Sequence, residues 1–254
     1  MDFENKVVLI TGAAGGIGIA AARKFAAEGA KLALVDLSRE ALEKAASDLD
    51  GALLVAADVS KEEDVKAYVD RTVEAFGRID VFVNNAGING DFKPITEQTR
   101  ENYAKVLDIN VIGVALGLKY VVAQMQKQGS GAIVNTASNG GLLGAPGMSA
   151  YVASKHAVLG INKSVALEVA GDNIRVNAVC PSGVDTQMMR SIETNAMKGR
   201  EEEARKQFES SVPLGRYAEA DEIADLMLFL ASDKASFITG AYYRIDGGGG
   251  ATSV

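Results

Sequence analysis

A tyrosine and a lysine stand four residues apart in the segment SAYVASKH, residues 149–156. If this segment is helical, Tyr151 and Lys155 lie on the same face of the helix. A free tyrosine has a pKa of about 10, and a neighbouring ammonium stabilises the phenolate and lowers that pKa. The pair could then exchange a proton near neutral pH, which hydride transfer to or from a carbonyl group requires. The spacing alone is weak evidence, because an ordinary polar stripe on a helix has the same form.

A glycine-rich turn near the N-terminus gives a second chemical signal. In KVVLITGAAGGIG, Gly12, Gly16 and Gly18 lie between an apolar strand pattern and a helical pattern. Glycines in such a turn let backbone N–H groups approach a pyrophosphate at the N-terminus of the helix. The pattern is G-x-x-x-G-x-G, which differs from the common dinucleotide fingerprint G-x-G-x-x-G. Plain turn geometry is the alternative explanation for these glycines.

An acidic residue at the end of the next strand pattern favours the nucleotide interpretation. Asp36 follows Gly18 by 18 residues, close to the spacing of about 20 for an acid that binds ribose hydroxyls. Asp36 could instead cap the helix that follows, although Ser38 is better placed for that role. A carboxylate here would repel a 2′-phosphate, and the glycine turn contains no basic residue. The sequence therefore predicts NAD as the cofactor in preference to NADP.

Alternating strand and helix patterns must position these residues. Short apolar runs predict seven strands, namely KVVLI, KLALVD, ALLVAA, VFVN, GAIVNTA, IRVNAVC and AYYRID. Longer segments predict helices at 16–27, 39–49, 61–76, twice within 96–128, and at 149–170. This alternation is typical of βαβ units, and nearly unbroken apolar strands fit a parallel sheet covered on both faces. Gly29, Gly77, Gly129 and Gly171 follow helical patterns, where we expect left-handed caps.

The composition indicates a globular protein that acts on a small molecule. The 254 residues are 48% hydrophobic and 23% charged without a linker or repeat, so we expect a single domain over 1–254. A net charge of −7 argues against nucleic acid or an anionic membrane as a partner. The start lacks the basic residues of a signal peptide, and no run reaches about 18 consecutive apolar residues, so we expect a cytoplasmic protein. Cys180 and His156 are single residues of their types, so we expect no metal site.

Further motifs complete a pattern that spans the chain. The segments TGAAGGIG, NNAG and YVASK, with Asp58, Asn110 and Ser138 between them, stand in the order and at the distances typical of the short-chain dehydrogenase/reductase family. The chain resembles this family from KVVLITG to AYYRIDGG. The resemblance implies an α/β fold of the Rossmann type, with a doubly wound parallel sheet of seven strands. The implied strand order is 3-2-1-4-5-6-7, with helices on both faces.

The resemblance also implies which residues bind the cofactor. The implied contacts are Gly12, Gly16, Ile17 and Gly18 with the pyrophosphate, Asp36 with the adenosine ribose, Asp58 and Val59 with the adenine, Asn85, Ala86 and Gly87 along the cofactor, Tyr151 and Lys155 near the nicotinamide ribose, and Pro181, Val184 and Thr186 with the carboxamide. The NNAG segment could also form a plain turn, and we expect both roles. Ser182 stands where glycine usually follows the proline in the family, and Gly183 comes next. This departure bears on the path of the local backbone and not on the identity of the cofactor.

Four residues form the catalytic set that the resemblance implies. Tyr151 is the general acid and base, and Lys155 lowers its pKa and holds the nicotinamide ribose. Ser138 follows the strand GAIVNT and would orient the substrate oxygen at the edge of the sheet where ligands of open α/β folds bind. Asn110 resembles the family residue whose helix distortion holds a water molecule and links Lys155 to solvent as a proton relay.

A charged segment at about 187–212 differs in composition from the rest of the chain. It is either a solvated helix pair or a mobile lid over the substrate. Met188 and Met189 open this segment, and they either pack in the core or contact the substrate. The resemblance further implies a homotetramer, in which the helices around 104–128 and 149–170 pair between subunits.

The leading functional hypothesis is an NAD(H)-dependent oxidoreductase of a secondary alcohol or the matching ketone. Within the family, the sequence is most similar to enzymes that act on cyclic or compact apolar alcohols and ketones, such as the levodione reductases. The segment GLLGAPGM and the Met188 region would line a pocket for such a substrate. One alternative is a 3-oxoacyl-[acyl-carrier-protein] reductase, but those enzymes resemble NADP users and need a basic patch for an acidic partner. Another alternative is a non-catalytic NAD-binding sensor, which would not need the four proton-transfer residues.

Overall fold

Seven strands form one parallel sheet. The computed structural model describes residues 2–251, and its strands are β1 (Val7–Thr11), β2 (Lys31–Asp36), β3 (Leu53–Ala56), β4 (Val81–Asn84), β5 (Gly131–Thr136), β6 (Ile174–Pro181) and β7 (Tyr242–Ile245). Their order is β3-β2-β1-β4-β5-β6-β7, and every neighbouring pair is parallel. The predicted fold class and strand order are confirmed.

Both faces of the sheet are buried because successive side chains of a strand point to opposite sides. In β1, Leu9 belongs to one hydrophobic core and Ile10 to the other. Phe82 and Val83 divide in the same way in β4. This two-sided burial explains why the strand patterns in the sequence are apolar runs and do not alternate with polar residues.

Helices pack on both faces of this sheet. Within the described residues they are α1 (Gly16–Ala27), α2 (Arg39–Ala45), α3 (Glu62–Phe76), α4 (Arg100–Leu107), α5 (Gly113–Gln128), α6 (Ser149–Val169), α7 (Gln187–Ala196), α8 (Glu201–Ser210) and α9 (Ala220–Ala231). Helix α1 has the predicted bounds, whereas α2 ends at Ala45, four residues before the predicted end at Leu49. The patterns above do not assign α9, which packs against α1.

Three of the four predicted glycine caps adopt the left-handed conformation. Gly29, Gly77 and Gly129 have φ values of 85°, 80° and 74°. The prediction for Gly171 is wrong, because α6 continues into a 3₁₀ turn at Ala170–Asp172. Asn173 then takes the left-handed position with φ 57°, which asparagine tolerates better than most residues with a side chain.

The carboxyl ends of the parallel strands meet at one edge of the sheet. The chain crosses from β1 to β2 on one side and reaches β4 on the other, so a crevice opens at this switch point. Hydrogen bonds join three strand ends there: the Asn85 N–H donates to Thr11 Oγ1 at 3.0 Å, and Thr136 Oγ1 donates to Asn85 Oδ1 at 3.1 Å. The glycine turn, NNAG and Ser138 all follow strands at this edge.

A ladder of buried amides ties α6 to the sheet. Asn84 Nδ2 donates to Asn135 Oδ1 at 3.2 Å, and Asn135 Nδ2 donates to Asn162 Oδ1 at 3.1 Å. Asn162 Nδ2 donates in turn to the Ala241 carbonyl at 3.3 Å. A buried amide without a partner costs about 1–3 kcal/mol, so these bonds hold α6 in one position across β4 and β5. Tyr151 and Lys155 lie on this helix.

One helical stretch within residues 2–251 is long and apolar enough to cross a membrane. It runs over Arg100–Gln128 with a mean hydropathy of 1.8 in its most apolar window, of which 39% is buried. The count of consecutive apolar residues above does not detect it. A single stretch of this kind is weak evidence for a membrane span, because helices of cores and subunit interfaces share its composition.

Candidate active site

Lys155 is buried beside the ring of Tyr151. Both residues lie in α6, and Lys155 Nζ is 5.6 Å from the centroid of the Tyr151 ring. Lys155 is 4% exposed, and its ammonium donates a hydrogen bond to the Thr136 carbonyl at 2.9 Å. The four-residue spacing thus brings the two side chains together, as the sequence predicts. The carbonyl at the end of β5 holds the lysine in place.

Small residues let α6 approach the segment that follows β5. Ala150 and Ser154 are buried, and Ser154 Oγ donates to the Tyr151 carbonyl at 2.7 Å. A Cβ atom at Gly141 would lie 2.8 Å from the Lys155 carbonyl oxygen. Only glycine fits at this contact, and the close approach places Tyr151 over the strand ends.

Asn110 lies in a turn of π-helix between α4 and α5. This turn spans Asp108–Ile112, so the helix distortion that the resemblance implies is present. Asn110 Oδ1 accepts from the Ile88 N–H at 2.8 Å, and Nδ2 donates to the Ile88 carbonyl at 2.8 Å and to Ser154 Oγ at 3.0 Å. The buried amide therefore connects the segment after β4 with α6.

Gly87 brings Asn110 and Lys155 to one place. A Cβ atom at Gly87 would lie 3.2 Å from Asn110 Oδ1 and 3.4 Å from Lys155 Nζ. The backbone between the two polar groups is consequently free of side chain. Asn110 Oδ1 and Lys155 Nζ therefore lie close to each other beside Gly87.

Ser138 adopts an extended backbone just after β5 and turns its hydroxyl toward the site. Its Oγ accepts from the Gly140 N–H at 3.1 Å and donates to the Pro181 carbonyl at 3.5 Å. A Cβ atom at Gly140 would lie 3.3 Å from Tyr151 Cε1 and 3.6 Å from Ser138 Oγ. Ser138 and Tyr151 therefore lie on either side of Gly140, where one substrate oxygen could contact both hydroxyls.

Burial has the largest effect on the pKa values of Tyr151 and Lys155. It raises the pKa of Tyr151 above its ordinary value, against the opposing effect of the Ser138 side chain. It also lowers the pKa of Lys155 to about 8, so the ammonium is mainly protonated at neutral pH. The direction for Tyr151 is opposite to the sequence expectation, because helix spacing reveals a neighbouring charge but not the loss of water around the phenol. Burial likewise raises the pKa of the Cys180 thiol to about 11.

The glycine turn packs so closely on its neighbours that a side chain at Gly12, Gly16 or Gly18 would clash with them. Gly12 has φ 64°, and a Cβ there would lie 2.9 Å from Ala86 Cα. A Cβ at Gly16 would lie 2.5 Å from Thr186 Cγ2, and one at Gly18 would lie 2.2 Å from the Gly12 carbonyl oxygen. Gly15, the N-cap residue of α1, has no side chain to bond the first N–H groups of the helix, which suits these groups to a pyrophosphate. The residues present therefore fit a dinucleotide.

Asp36 faces the cavity, and Ser38 caps the following helix. Asp36 Oδ2 accepts from the Ala14 N–H at 3.0 Å and Oδ1 accepts from the Leu37 N–H at 2.8 Å. Ser38 Oγ accepts from the Ala41 N–H at 3.1 Å, which makes Ser38 the N-cap of α2. The carboxylate is thus held at the glycine turn, where it can meet the ribose hydroxyls.

Asp58 and Val59, which follow β3, line the cavity. Asp58 Oδ1 accepts from the Ser60 hydroxyl at 2.6 Å and from the Ser60 N–H at 3.0 Å, and these bonds hold the pKa of Asp58 below its usual value. Val59 packs on Gly113, where a Cβ would lie 3.0 Å from Val59 Cγ2. Asn85 lines the cavity, and its Nδ2 donates to the Thr11 carbonyl at 3.1 Å, so the NNAG segment joins the ends of β1 and β4 at the cavity wall.

The segment after β6 lines the cavity with Pro181, Ser182, Gly183, Val184 and Thr186. Thr186 Oγ1 donates to the Val184 carbonyl at 3.2 Å, and the Ser182 N–H donates to the Ile245 carbonyl at 3.3 Å. At Gly183 a Cβ would lie 2.8 Å from the ring of Tyr217. The close approach that requires glycine therefore occurs one position after Ser182, against an aromatic ring.

Most of the predicted site residues line one cavity of about 670 Å³. Its lining includes Gly12, Gly16, Ile17, Asp36, Asp58, Val59, Asn85, Ala86, Gly87, Ser138, Tyr151, Lys155, Pro181, Val184 and Thr186. Gly18 and Asn110 do not line it, because Gly18 packs on the glycine turn and Asn110 lies behind Gly87. Within residues 2–251, no group of three His, Cys, Asp or Glu side chains could hold a metal ion.

The helix pair in the charged segment covers the other end of the cavity. Met188, Met189 and Ile192 from α7 and Phe208 from α8 line it. The segment GLLGAPGM contributes Ala145 and Met148, whereas its two leucines do not reach the lining. Both methionines of the pair therefore border the space for a substrate.

Tyr217 and Asp246 also line the cavity, and the sequence patterns missed both. Asp246 accepts from Asn139 Nδ2 at 3.0 Å and from the Gly250 N–H at 2.8 Å. Its position directly after β7 is a signal like that of Asp36, an acid at the carboxyl end of a parallel strand. Tyr217 follows α8 without a local motif, so only the folded chain reveals it.

Comparison with known proteins agrees with this geometry. The family described as Enoyl-(Acyl carrier protein) reductase matches residues 12–249. Levodione reductase of Leifsonia aquatica is 46% identical over 256 residues, covering 97% of this chain and 94% of the relative. The 3-oxoacyl-[acyl-carrier-protein] reductase FabG of Thermotoga maritima is 42% identical over 252 residues, covering 98% and 99%.

A solved structure extends the agreement to the cofactor. NAD⁺-bound xylitol dehydrogenase superposes with a TM-score of 0.93 at 40% identity, covering 98% of this chain and 100% of that one. The fold described above is thus shared along nearly its whole length with a protein whose structure holds NAD⁺.

We expect Asp36→Asn to narrow the preference for NAD over NADP by about tenfold or more, since one lost charged hydrogen bond is worth about 1.5–3 kcal/mol. The amide keeps the size and one acceptor oxygen but loses the charge that repels a 2′-phosphate. The measurement is kcat/KM for both cofactors. Asp50→Asn is the control, because it makes the same charge change at an exposed residue outside the cavity. An unchanged ratio in Asp36→Asn would refute the assigned role.

Proposed function

The chain belongs to the short-chain dehydrogenase/reductase family and is an NAD-dependent oxidoreductase of secondary alcohols and ketones, and we propose that Tyr151 is its general acid and base. The observation that carries the proposal is the buried Lys155 ammonium 5.6 Å from the Tyr151 ring, beside Ser138 in one cavity. NAD(H), when bound, accepts or supplies the hydride. The protein residues handle the proton.

Tyr151 exchanges this proton with the substrate oxygen. In ketone reduction the phenol gives its proton to the oxygen as the hydride reaches the carbonyl carbon, and in alcohol oxidation the phenolate takes the hydroxyl proton. Ser138 orients that oxygen, because its hydroxyl and the Tyr151 ring both lie close to Gly140 at the cavity wall. The Lys155 charge stabilises the phenolate against the effect of burial. We assign Lys155 the further role of holding the nicotinamide ribose.

Asn110 completes the path for the proton. Its amide is fixed by two hydrogen bonds to the backbone of Ile88 and lies next to Lys155 across Gly87. The π-helical turn widens the helix at this point and makes room for a water molecule beside the amide. We infer that in alcohol oxidation the proton taken up by Tyr151 passes by way of Lys155 and such a water to solvent. In ketone reduction a proton passes the opposite way, from solvent to Tyr151.

The remaining lining residues are proposed to bind NAD. Gly12, Gly16 and Ile17 with the nearby Gly18 hold the pyrophosphate, and Asp36 binds the adenosine ribose. The close approaches at the three glycines support this assignment. Asp58 and Val59 contact the adenine, the NNAG residues flank the cofactor, and Pro181, Val184 and Thr186 face the carboxamide.

The substrate is proposed to be a compact, neutral, apolar alcohol or ketone, including cyclic ones. Lys155 is the one cation that lines the cavity within the described residues, and it is already bonded to the Thr136 carbonyl. The substrate end is bordered by Ala145, Met148 and Met188, which fit an apolar body. A chain with a net charge of −7 attracts an acidic carrier protein only weakly.

We extend the proposal to the organisation of the protein. Residues 1–254 form one Rossmann domain, of which residue 1 and residues 252–254 lie outside the described part. Segment 187–212 is a lid, supported by the side chains of α7 and α8 in the cavity lining. We propose a soluble, cytoplasmic enzyme that has no nucleic-acid or membrane partner.

The enzyme is proposed to be a homotetramer in which the long helices pair between subunits. Ile112 at the start of α5 and Leu167 near the end of α6 are 47% and 84% exposed. A second copy of the chain would cover these side chains and the apolar stretch over Arg100–Gln128. Burial of apolar surface is the main driving force for such association.

Tyr151→Phe tests the proposed function most simply. We expect kcat with a panel of alcohols and ketones to fall by about 10²–10⁴-fold, the usual contribution of general acid–base catalysis, while NADH still binds. The measurements are NADH absorbance during turnover and a fluorescence titration of NADH. Tyr103→Phe is the control, because it removes a hydroxyl that bonds Ser149 outside the cavity.

Three outcomes would contradict the proposal in different ways. Substantial turnover by Tyr151→Phe would show that the proton comes from another group. Tight NADH binding by the wild-type protein without turnover of any alcohol or ketone would favour a sensor. A strong preference for a 3-oxoacyl thioester would favour the carrier-protein reductase.

Static light scattering tests the oligomer. We expect a mass about four times the 26.6 kDa of the chain, and Leu167→Glu should lower it by placing a charge in the contact. A wild-type mass equal to one or two chains would contradict the tetramer. The exposed Leu37→Glu, at the adenosine end of the cavity, should leave the mass unchanged and serves as the control.

A further inference from the structure

Tyr217 joins parts of the cavity wall that are distant in the sequence. It follows α8, lines the cavity and is 3% exposed. Its ring lies against Gly183, where a Cβ would be 2.8 Å from Cδ1 and 2.9 Å from Cε1. Gly183 belongs to the turn between Pro181 and Thr186. The ring therefore supports the backbone at the nicotinamide end of the proposed cofactor site.

The hydroxyl of Tyr217 reaches a buried carboxylate on α7. It donates to Glu193 Oε1 at 2.9 Å, and the Glu193 side chain is 2% exposed. Arg190 donates to both oxygens of the same carboxylate, at 3.0 and 2.8 Å. A buried carboxylate is costly unless it is fully paired, so Glu193 holds Tyr217 and Arg190 in a defined arrangement.

Two guanidinium groups contact the ring of Tyr217 from different helices. Arg190 of α7 and Arg205 of α8 each have Cζ 5.6 Å from the ring centroid. Both arginines also hydrogen-bond the carboxylate of Asp185, which immediately precedes Thr186. The Tyr217 ring and the Asp185 carboxylate thus connect Arg190 of α7 with Arg205 of α8. Arg205 also donates to Glu209 within α8.

The backbone next to Tyr217 continues the connection. The Ala218 N–H donates to the Gly183 carbonyl at 3.0 Å, and the Asp185 N–H donates to the Ala218 carbonyl at 2.9 Å. These bonds pair Val184 with Ala218 in a short parallel bridge. The turn at 181–186 and the segment at 217–218 consequently move together.

We propose that Tyr217 is a positioning residue for the reaction, which locks helices α7 and α8 and the turn at 181–184 into one wall of the substrate site. Met188, Met189 and Ile192 on α7 then meet the substrate without first being ordered. A wall that is ordered in advance saves binding energy in the ground state and the transition state alike. The inference rests on the proposed function, because it assigns this wall to the substrate.

Tyr217→Phe separates this role from a general packing role. The ring stays and only the hydrogen bond to Glu193 is lost. We expect the KM for the ketone to rise about tenfold with kcat within about twofold, the pattern of lost uniform binding. Amide hydrogen exchange should rise together in α7, in α8 and at 182–184, because these segments lose a shared anchor.

Tyr120→Phe is the matched control. Tyr120 also donates to a glutamate, Glu62 Oε1, at 2.9 Å, but it lies on α5 away from the cavity. The control should keep the KM and the exchange of α7 and α8 at wild-type values. A measured oligomeric mass accompanies each variant, so that a change of assembly is recognised.

Glu193→Gln and the double variant test whether Tyr217 acts through Glu193. If it does, the double variant that carries both Tyr217→Phe and Glu193→Gln has the KM of the worse single variant, and the two increases in KM do not multiply. Multiplying effects, an unchanged KM, or a fall in kcat at constant KM would overturn the proposal. Hydrogen exchange decides the question even if the wild-type protein turns over no substrate, which would refute only the proposed function. Unchanged exchange in Tyr217→Phe would refute the lock itself.

Discussion

The burial of the Lys155 ammonium beside Tyr151 is the constraint on which the rest of the site depends. A buried cation needs fixed partners, and Lys155 has the Thr136 carbonyl at 2.9 Å. That contact requires α6 to lie close over the end of β5, which Gly141 and the small residues Ala150 and Ser154 permit. The helix would shift if the buried amides of Asn84, Asn135 and Asn162 were not paired across the sheet. Local chemistry therefore rests on long-range packing.

The sheet topology supplies the other half of the site. Five strand ends meet at one edge of the sheet, and the residues there differ in type. In the proposed function each of them contacts a different part of one ligand. Glycines follow β1, Asp36 ends β2, NNAG begins within β4, Ser138 follows β5 and Pro181 ends β6. Hydrogen bonds among Thr11, Asn85 and Thr136 keep these ends together. The result is a cavity of about 670 Å³ that is lined by the strand ends and by residues of α7 and α8.

Much of the fold and site could be predicted from sequence because the deciding signals are local. Apolar runs mark the strands, and the bounds of α1 follow from its turn and periodicity. Properties that depend on distant residues could not be predicted. Tyr217 joins the cavity through Gly183 and Glu193, which are 34 and 24 residues away along the chain. Burial raises the pKa of Tyr151, and the burial of a side chain depends on the folded chain and cannot be deduced from local sequence. Asn173 replaces Gly171 as the left-handed residue because α6 ends in a 3₁₀ turn.

In the proposed mechanism, the Lys155 charge stabilises the phenolate of Tyr151 and offsets part of the rise in pKa that burial causes. The direct measurement is the pH dependence of kcat/KM for alcohol oxidation in the wild-type protein and in Lys155→Met, using the residual activity of the variant. Oxidation needs the phenolate, so the rate should rise with pH to a plateau in both proteins. Loss of the ammonium should move the inflection to higher pH by about one unit or more, because a nearby opposite charge shifts a pKa by about 1–3 units. An inflection that stays at the same pH would contradict the account.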